Sequence, residues 1–145
     1  MHLVPFLPVH FEGFELQEAQ AWLTPYLTTP EYIATLTAFG EAFSLIVNNK
    51  VIGCGGLAVL SKNRAQAWAL VHKDAGRALF GATKLVRQYL DSKPYLRIET
   101  PVKTSFGAAH RWAKMLGFKN ETPNGMEKWG DDGENYSSYA RIKNG

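Results

Sequence analysis

The run Lys73-Asp74-Ala75-Gly76-Arg77-Ala78 lies between a strand-like segment ending at Val71 and a helical run that begins near Arg77. A helix start offers unpaired backbone N–H groups and roughly half a positive charge, and a glycine lets an anion come close to that backbone. Lys73, Arg77 and Lys84 add full charges nearby. Such residues can hold a phosphate or pyrophosphate without a metal. They also make a plain structural turn. The four histidines (His2, His10, His72 and His110) lack metal-ligand spacing, and the one cysteine, Cys54, excludes a disulfide framework or a Cys-based zinc site. No metal is expected.

The charges are unevenly placed. Net charge is only +3, yet residues 1–60 carry five acids and one base, whereas Lys62–Lys119 holds twelve bases and three acids. A small polyanion should therefore meet the middle of the chain. A nucleic-acid binder would be basic over a whole face, and Trp68 and Trp112 fall on inward faces of predicted elements, so nucleic acid is not expected as a partner. Four-fifths of the residues are uncharged and 46% are hydrophobic, a globular balance. The ten-residue apolar run Val51–Leu60 is about half a membrane span. The N-terminus lacks a basic segment and is interrupted by Pro5 and Pro8, unlike a signal peptide. A single cytoplasmic domain over residues 1–145, with no membrane partner, is the expectation.

The elements that must position the loop follow from periodicity. His2–Val9 reads as an edge strand and Glu15–Thr24 as a helix stopped by Pro25. Thr29-Pro30-Glu31 starts another helix that ends at Gly40. Ala42–Val47 and Val51–Val59 form a hairpin across Asn48-Asn49-Lys50, and a second turn leads into Arg64–Val71. A helix over Arg77–Asp91 shows an apolar face of Leu79, Ala82, Val86 and Tyr89, with Gly81 marking a close approach to its backbone. Tyr95–Thr100 is a strand, Ser105–Leu116 a helix capped by Gly117, and Met126–Trp129 with Tyr136–Ile142 a final hairpin. The fold class is α+β, helices over a mostly antiparallel sheet.

The helix ending Leu116-Gly117-Phe118, with Ala109 and Val102 before it, resembles the C-terminal half of the GCN5-related N-acetyltransferases. Lys73–Ala78 is similar to that family's (Arg/Gln)-x-x-Gly-x-(Gly/Ala) loop, and Phe43–Val59 resembles its central meander. The resemblance implies six or seven strands and about four helices in α/β/α layers, with a splayed pair, Arg64–Val71 and Tyr95–Thr100, opening a V-shaped cleft. It implies acetyl-CoA as cosubstrate, its pantetheine arm on the backbone of Ala69, Leu70 and Val71. Gly76, Arg77, Ala78 and Leu79 would take the pyrophosphate, and Lys73, Arg77 or Lys84 the 3′-phosphate. The reaction implied is attack of an amine on the thioester, with a base for the amine and an acid for the thiolate.

Two positions depart from the family pattern: its usual Tyr is Ala113, and its usual Asn is Phe106. That leaves Glu99 as the candidate base, unless it only pairs with Arg97 or Lys103, and Tyr136 as the candidate acid, unless it and Tyr139 are sheet aromatics. Ser105 is a further polar residue near the second helix, and His110 reads as solvated. The segments Gly76–Lys84 and His110–Phe118 also look like the small acetyltransferase-like proteins of podophages related to T7. That narrower resemblance implies a phage protein in the host cytoplasm or the virion, which modifies or only binds a host bacterial protein.

Overall fold

Asn48 and Asn49 take φ values of 51° and 63°, the left-handed pair that a tight two-residue hairpin turn requires. They join β2 (Ala42–Val47) to β3 (Lys50–Ser61), and β1 (His2–Pro5) pairs antiparallel with β2 from His2↔Ile46 to Pro5↔Phe43. β4 (Arg64–Val71) lies beside β3. The structure, a computed structural model, describes residues 1–143. Its strand order is β1-β2-β3-β4-β5-β7-β6, where β5 is Arg97–Lys103, β6 Lys119–Asn120 and β7 Tyr136–Ile142. The β4–β5 pairing is parallel, while β1–β2, β2–β3, β5–β7 and β6–β7 are antiparallel. With the four α-helices given below, this is the expected α+β fold on a mostly antiparallel seven-stranded sheet.

The chain forms two compact units, one of residues 1–59 and 67–82, the other of residues 60–66 and the chain from Thr83 onward. The first has a core of Phe11, Phe14, Leu16, Leu27, Cys54 and Leu70, against which Tyr32, Ile33 and Leu36 of α1 (Pro30–Ala38) and Trp68 pack. Cys54 is buried there, its Sγ 3.4 Å from Ser44 Oγ, and burial pushes its thiol up to about 11. Gly56 leaves room for the Trp68 indole, which a Cβ would meet at 3.0 Å.

Three expectations for the chain up to Asp91 are corrected. The strand at the N-terminus stops at Pro5, and Pro8–Phe11 is a 3-10 turn that buries Phe11. The helix expected at Glu15–Thr24 is a 3-10 helix over Glu18–Tyr26 that contains Pro25 and buries none of its residues. Burial at Leu16 and Leu27 fixes its two ends instead. The single helix expected at Arg77–Asp91 is two, α2 (Gly76–Gly81) and α3 (Thr83–Asp91). The break falls at Ala82, whose N–H is shared by the carbonyls of Ala78 and Leu79, directly after Gly81. Glycine inside a helix costs about 1 kcal/mol relative to alanine, which marks this as the weak point.

In the second unit β5 pairs with β7 along all seven residues, from Arg97↔Ile142 to Lys103↔Tyr136. The strand expected at Met126–Trp129 is instead an isolated Met126↔Tyr136 bridge, and the short partner of β7 is β6. Gly125 and Lys128, with φ of 78° and 51°, bend that segment out of extended form. Helix α4 (Gly107–Met115) ends in a Schellman stop: Phe118 N–H donates to Ala113 O and Gly117 N–H to Lys114 O, with Gly117 at φ 94°. Gly117→Ala places a side chain in the left-handed region and within 3.1 Å of Arg141 Nε. It should cost about 1–2 kcal/mol of unfolding free energy with an unchanged urea slope; no loss of stability would contradict this account of the stop.

Candidate functional site

Apolar residues drive the end of β4 inward. Leu70, Val71 and His72 are buried, and the chain emerges at Lys73 and Asp74 before burying Ala75. Gly76 and Arg77 are again exposed. Gly76 has φ 47° and no atom within 4 Å of where a Cβ would stand, so the space before it is open. The turn is braced from beneath: Ala75 N–H donates to His72 O, and Asp74 N–H to His72 Nδ1 at 3.0 Å. Burial, helped by the Lys50 charge, holds the His72 imidazole below its ordinary value, so it stays neutral and accepts through Nδ1. The Phe14 ring stands at 88° to the imidazole at a centroid distance of 5.2 Å. Ala78 N–H is engaged with Ala75 O at 2.9 Å, which leaves the exposed Gly76-Arg77 step as the open face of the turn.

The structure thus brings Ala69, Leu70, Val71, Lys73, Gly76, Arg77, Ala78 and Leu79 into one unit, on β4, its turn and α2. Lys84 is an exposed residue of α3 in the other unit. Lys73 is tied to Glu15 by an ion pair of 2.7 Å, which raises the lysine and lowers the glutamate from their ordinary values. Arg77 lies outside the ion pairs of the turn, and Lys50 meets Asp74 at 3.5 Å.

Glu15, Gln17 and Gln20 were not legible as site residues, yet they line β4. Glu15 O accepts from Lys73 N–H, Gln17 N–H donates to Val71 O, Gln20 Nε2 donates to Ala69 O, and Gln20 Oε1 accepts from Val71 N–H. Nothing in their types or spacing sets them apart from other surface residues.

The acid–base candidates sit in the second unit. Glu99 Oε1 accepts from Arg64 Nη2 at 2.9 Å and from Arg97 Nε at 2.6 Å, and Arg97 also forks onto Glu121. Burial pushes the Glu99 carboxyl up, and the two guanidinium groups more than reverse this, holding it below its ordinary value. Tyr136 donates its hydroxyl to Asp132 Oδ2 at 3.0 Å, and the same carboxylate meets Lys103 at 2.8 Å. Burial and that hydrogen bond push the Tyr136 hydroxyl up to about 12. Glu99 pairs with Ala140, while Tyr136 pairs with Lys103. Four register steps separate them, about 13 Å along the strands. His110 is not solvated as expected: Tyr139 OH lies 2.6 Å from its Nδ1, and its Nε2 lies 2.9 Å from Thr104 O. A carbonyl only accepts, so Nε2 carries the proton and Tyr139 donates to Nδ1.

Among the described residues no three His, Cys, Asp or Glu side chains are grouped to hold a metal, and no helix is long and apolar enough to cross a membrane. No protein-family model and no curated protein matches the sequence. Solved structures do match the fold. Ard1 from Thermoplasma volcanium superposes with a TM-score of 0.72 at 18% identity, over 99% of this chain and 98% of that one. The ribosomal-protein-S18-alanine N-acetyltransferase from Escherichia coli gives 0.73 at 17%, over 99% and 96%. An aminoglycoside 6'-acetyltransferase type Ii gives 0.69 at 14%, over 98% and 97%. The chain has the fold of the GCN5-related N-acetyltransferases. Within that fold the Gly76-Arg77 turn is exposed, whereas the β4 edge leading to it is covered by residues 15–20.

The Glu99 cluster carries a pH signature. A carboxyl lowered in the folded state contributes stability fully above its unfolded value, near about pH 4.3, and loses it as pH falls through the lower folded value. Glu99→Gln should therefore be less stable than the parent at pH 7, and the gap should shrink between about pH 5 and pH 3 in urea titrations. A gap independent of pH would show that the arginine pairing adds nothing.

Proposed function

We propose that the protein is an acetyl-CoA-dependent N-acetyltransferase acting on an amine of a protein or a small molecule. The observation that carries this reading is the continuity of the β4 edge with an exposed turn. Ala69 and Val71 present edge-directed backbone groups, and five residues further on Gly76 stands at φ 47° before open space with Arg77 beside it. An extended amide-bearing arm ending in a pyrophosphate matches that order: strand-edge groups for the arm, a glycine turn and an arginine for the anion. Neighbours in the fold are named for spermidine, an aminoglycoside and the alanine of a ribosomal protein, all of which carry amines.

In the reaction the amine nitrogen bonds to the acetyl carbon, the carbon–sulfur bond breaks, and the amine gives up a proton while the thiolate gains one. Holding the two reactants together supplies much of the acceleration, even without a strong base. Glu99 is ionised at neutral pH, the state in which a base can take the amine proton directly or through water. Its two arginine partners make it a weak one. Tyr136 retains its proton for the thiolate but already donates it to Asp132, which favours structural service. Lys84 is a further candidate for the 3′-phosphate.

A second reading is a binding protein on the same fold, which recognises a host bacterial protein without turnover. Ala113, buried where the resemblance expects a tyrosine, favours it, as does the double engagement of Glu99. Under the podophage resemblance either version works in the host cytoplasm or the virion.

Titration calorimetry with acetyl-CoA, followed by thiol detection of CoA released in the presence of polyamine, aminoglycoside and peptide amines, separates these readings. Binding with release is expected. Binding without release from any amine favours the second reading, and no binding at millimolar ligand refutes the first. Gly76→Asp should weaken acetyl-CoA binding at least tenfold with an unchanged circular dichroism spectrum, because it sets a carboxylate in the open space before the turn. An unchanged affinity would remove Gly76 from the site.

A further inference from the structure

Backbone groups along a strand alternate between its two edges. Asn63 O accepts from Arg97 N–H, so the odd-numbered positions of β4 and its approach face the β5 side, whereas His72 N–H turns the other way to Ile52 O. Ala69, Val71 and Lys73 share the parity of Asn63. The β5 pairing covers Arg64–Gln66 only, so these later groups are served by something else.

They are served by residues 15–20. Lys73 N–H donates to Glu15 O at 2.8 Å and Gln17 N–H to Val71 O at 2.9 Å, which makes a short antiparallel patch around the Leu16↔His72 bridge. Beyond it the backbone leaves and a side chain takes over. The Gln20 amide donates from Nε2 to Ala69 O at 2.7 Å and accepts at Oε1 from Val71 N–H at 3.0 Å. Gln17 Nε2 donates to the same Oε1 at 3.1 Å and steadies it. One primary amide thus does at this edge what a secondary amide of an extended ligand would do. Val71 N–H has a single hydrogen and serves one acceptor at a time, so the two are mutually exclusive.

The element that carries Gln20 is only half-buried. Glu18–Tyr26 is nine residues of 3-10 helix with no residue fully buried, and Leu23 in its middle packs against the core; such runs rarely exceed three or four residues. Its flanks are the opposite: Leu16 and Leu27 both sit in the hydrophobic core with Phe11, Phe14, Cys54 and Leu70. Two buried ends and a middle held by the Gln20 amide and the half-buried Leu23 allow the middle to lift without unfolding the unit.

We infer that Glu18–Tyr26 is a strap, latched over the Ala69–Val71 edge by the Gln20 amide, which must release before the amide-bearing arm of acetyl-CoA can pair with that edge. This inference rests on the acetyl-CoA reading above and adds regulation of the same site. Apparent affinity then equals the affinity of the open form multiplied by the small fraction open, and loss of the latch raises that fraction.

Gln20→Ala removes both hydrogen bonds, and Gln20→Glu replaces the donor to Ala69 O by a carboxylate oxygen whose repulsion from that carbonyl drives the side chain off the edge and away from Val71 N–H. Each should bind acetyl-CoA about tenfold more tightly than the parent at pH 7 by calorimetry. The Val71 amide should exchange with deuterium at least tenfold faster in both variants without ligand, and regain protection when acetyl-CoA is added. Faster exchange with equal affinity overturns the strap and leaves the acetyl-CoA reading standing. Unchanged Val71 exchange overturns the latch itself. Weaker binding in the variants overturns it too, since Gln20 would then belong to the ligand site. No binding by any of the three proteins overturns the acetyl-CoA reading together with the strap. If Gln20→Ala fails to fold, the near-isosteric Gln20→Glu decides alone.

Discussion

A β-strand that is paired on one side still has a row of donors and acceptors on the other, and each of them needs a partner or water. β4 meets this constraint in two ways along its length. Over Arg64–Gln66 it pairs with β5, and from Ala69 to Lys73 it is met by residues 15–20. Other features of the first unit follow from the second half of that arrangement. His72 is buried and neutral because the strand end that carries it is covered, and its Nδ1 then becomes the acceptor that shapes the turn at Asp74. The turn in turn delivers Gly76 and Arg77 to the surface.

The charge asymmetry of the sequence is met in part by pairing. The basic middle of the chain meets acids drawn from both flanks: Glu15 on Lys73 from one side, Glu121 on Arg97 and Asp132 on Lys103 from the other. Most of these pairs are at least partly solvated and individually weak. Their collective effect is on the electrostatic field rather than on stability. Within the basic band Arg64, Lys73, Arg97 and Lys103 are drawn into ion pairs, and Arg77 stands outside those pairs at the exposed turn.

The sheet was legible because hairpin and alternation signals are local. β2, β4 and β7 begin and end where Ala42–Val47, Arg64–Val71 and Tyr136–Ile142 are alternating or apolar runs bounded by turns. Gly117 gave away the end of α4 for the same reason, since the Schellman stop needs a left-handed residue at that one place. Elements whose form depends on distant partners were not legible. The amphipathic look of Glu15–Thr24 is real, but core burial at Leu16 and Leu27 and the demands of the β4 edge stretch the segment into a 3-10 form. Met126–Trp129 reads as a short strand before the turn at Gly130, yet Lys128 adopts φ 51° with its N–H donating to the Asn135 side chain, a contact that no periodicity foretells. At the candidate site, Lys73–Ala78 could be read from charge and glycine placement, whereas Glu15, Gln17 and Gln20 act through contacts some fifty residues away in sequence.

Cys54 shares its core with Leu16 and Leu27, and its thiol is buried, bonded to Ser44 and raised to about 11. Because thiolate is the reactive form, this sulfur is silent toward alkylating reagents while that core stays closed. The molecule therefore carries its own chemical clock. The rate at which Cys54 becomes modifiable counts the openings of the cluster to which both ends of the Glu18–Tyr26 segment are moored, and it does so without any introduced label.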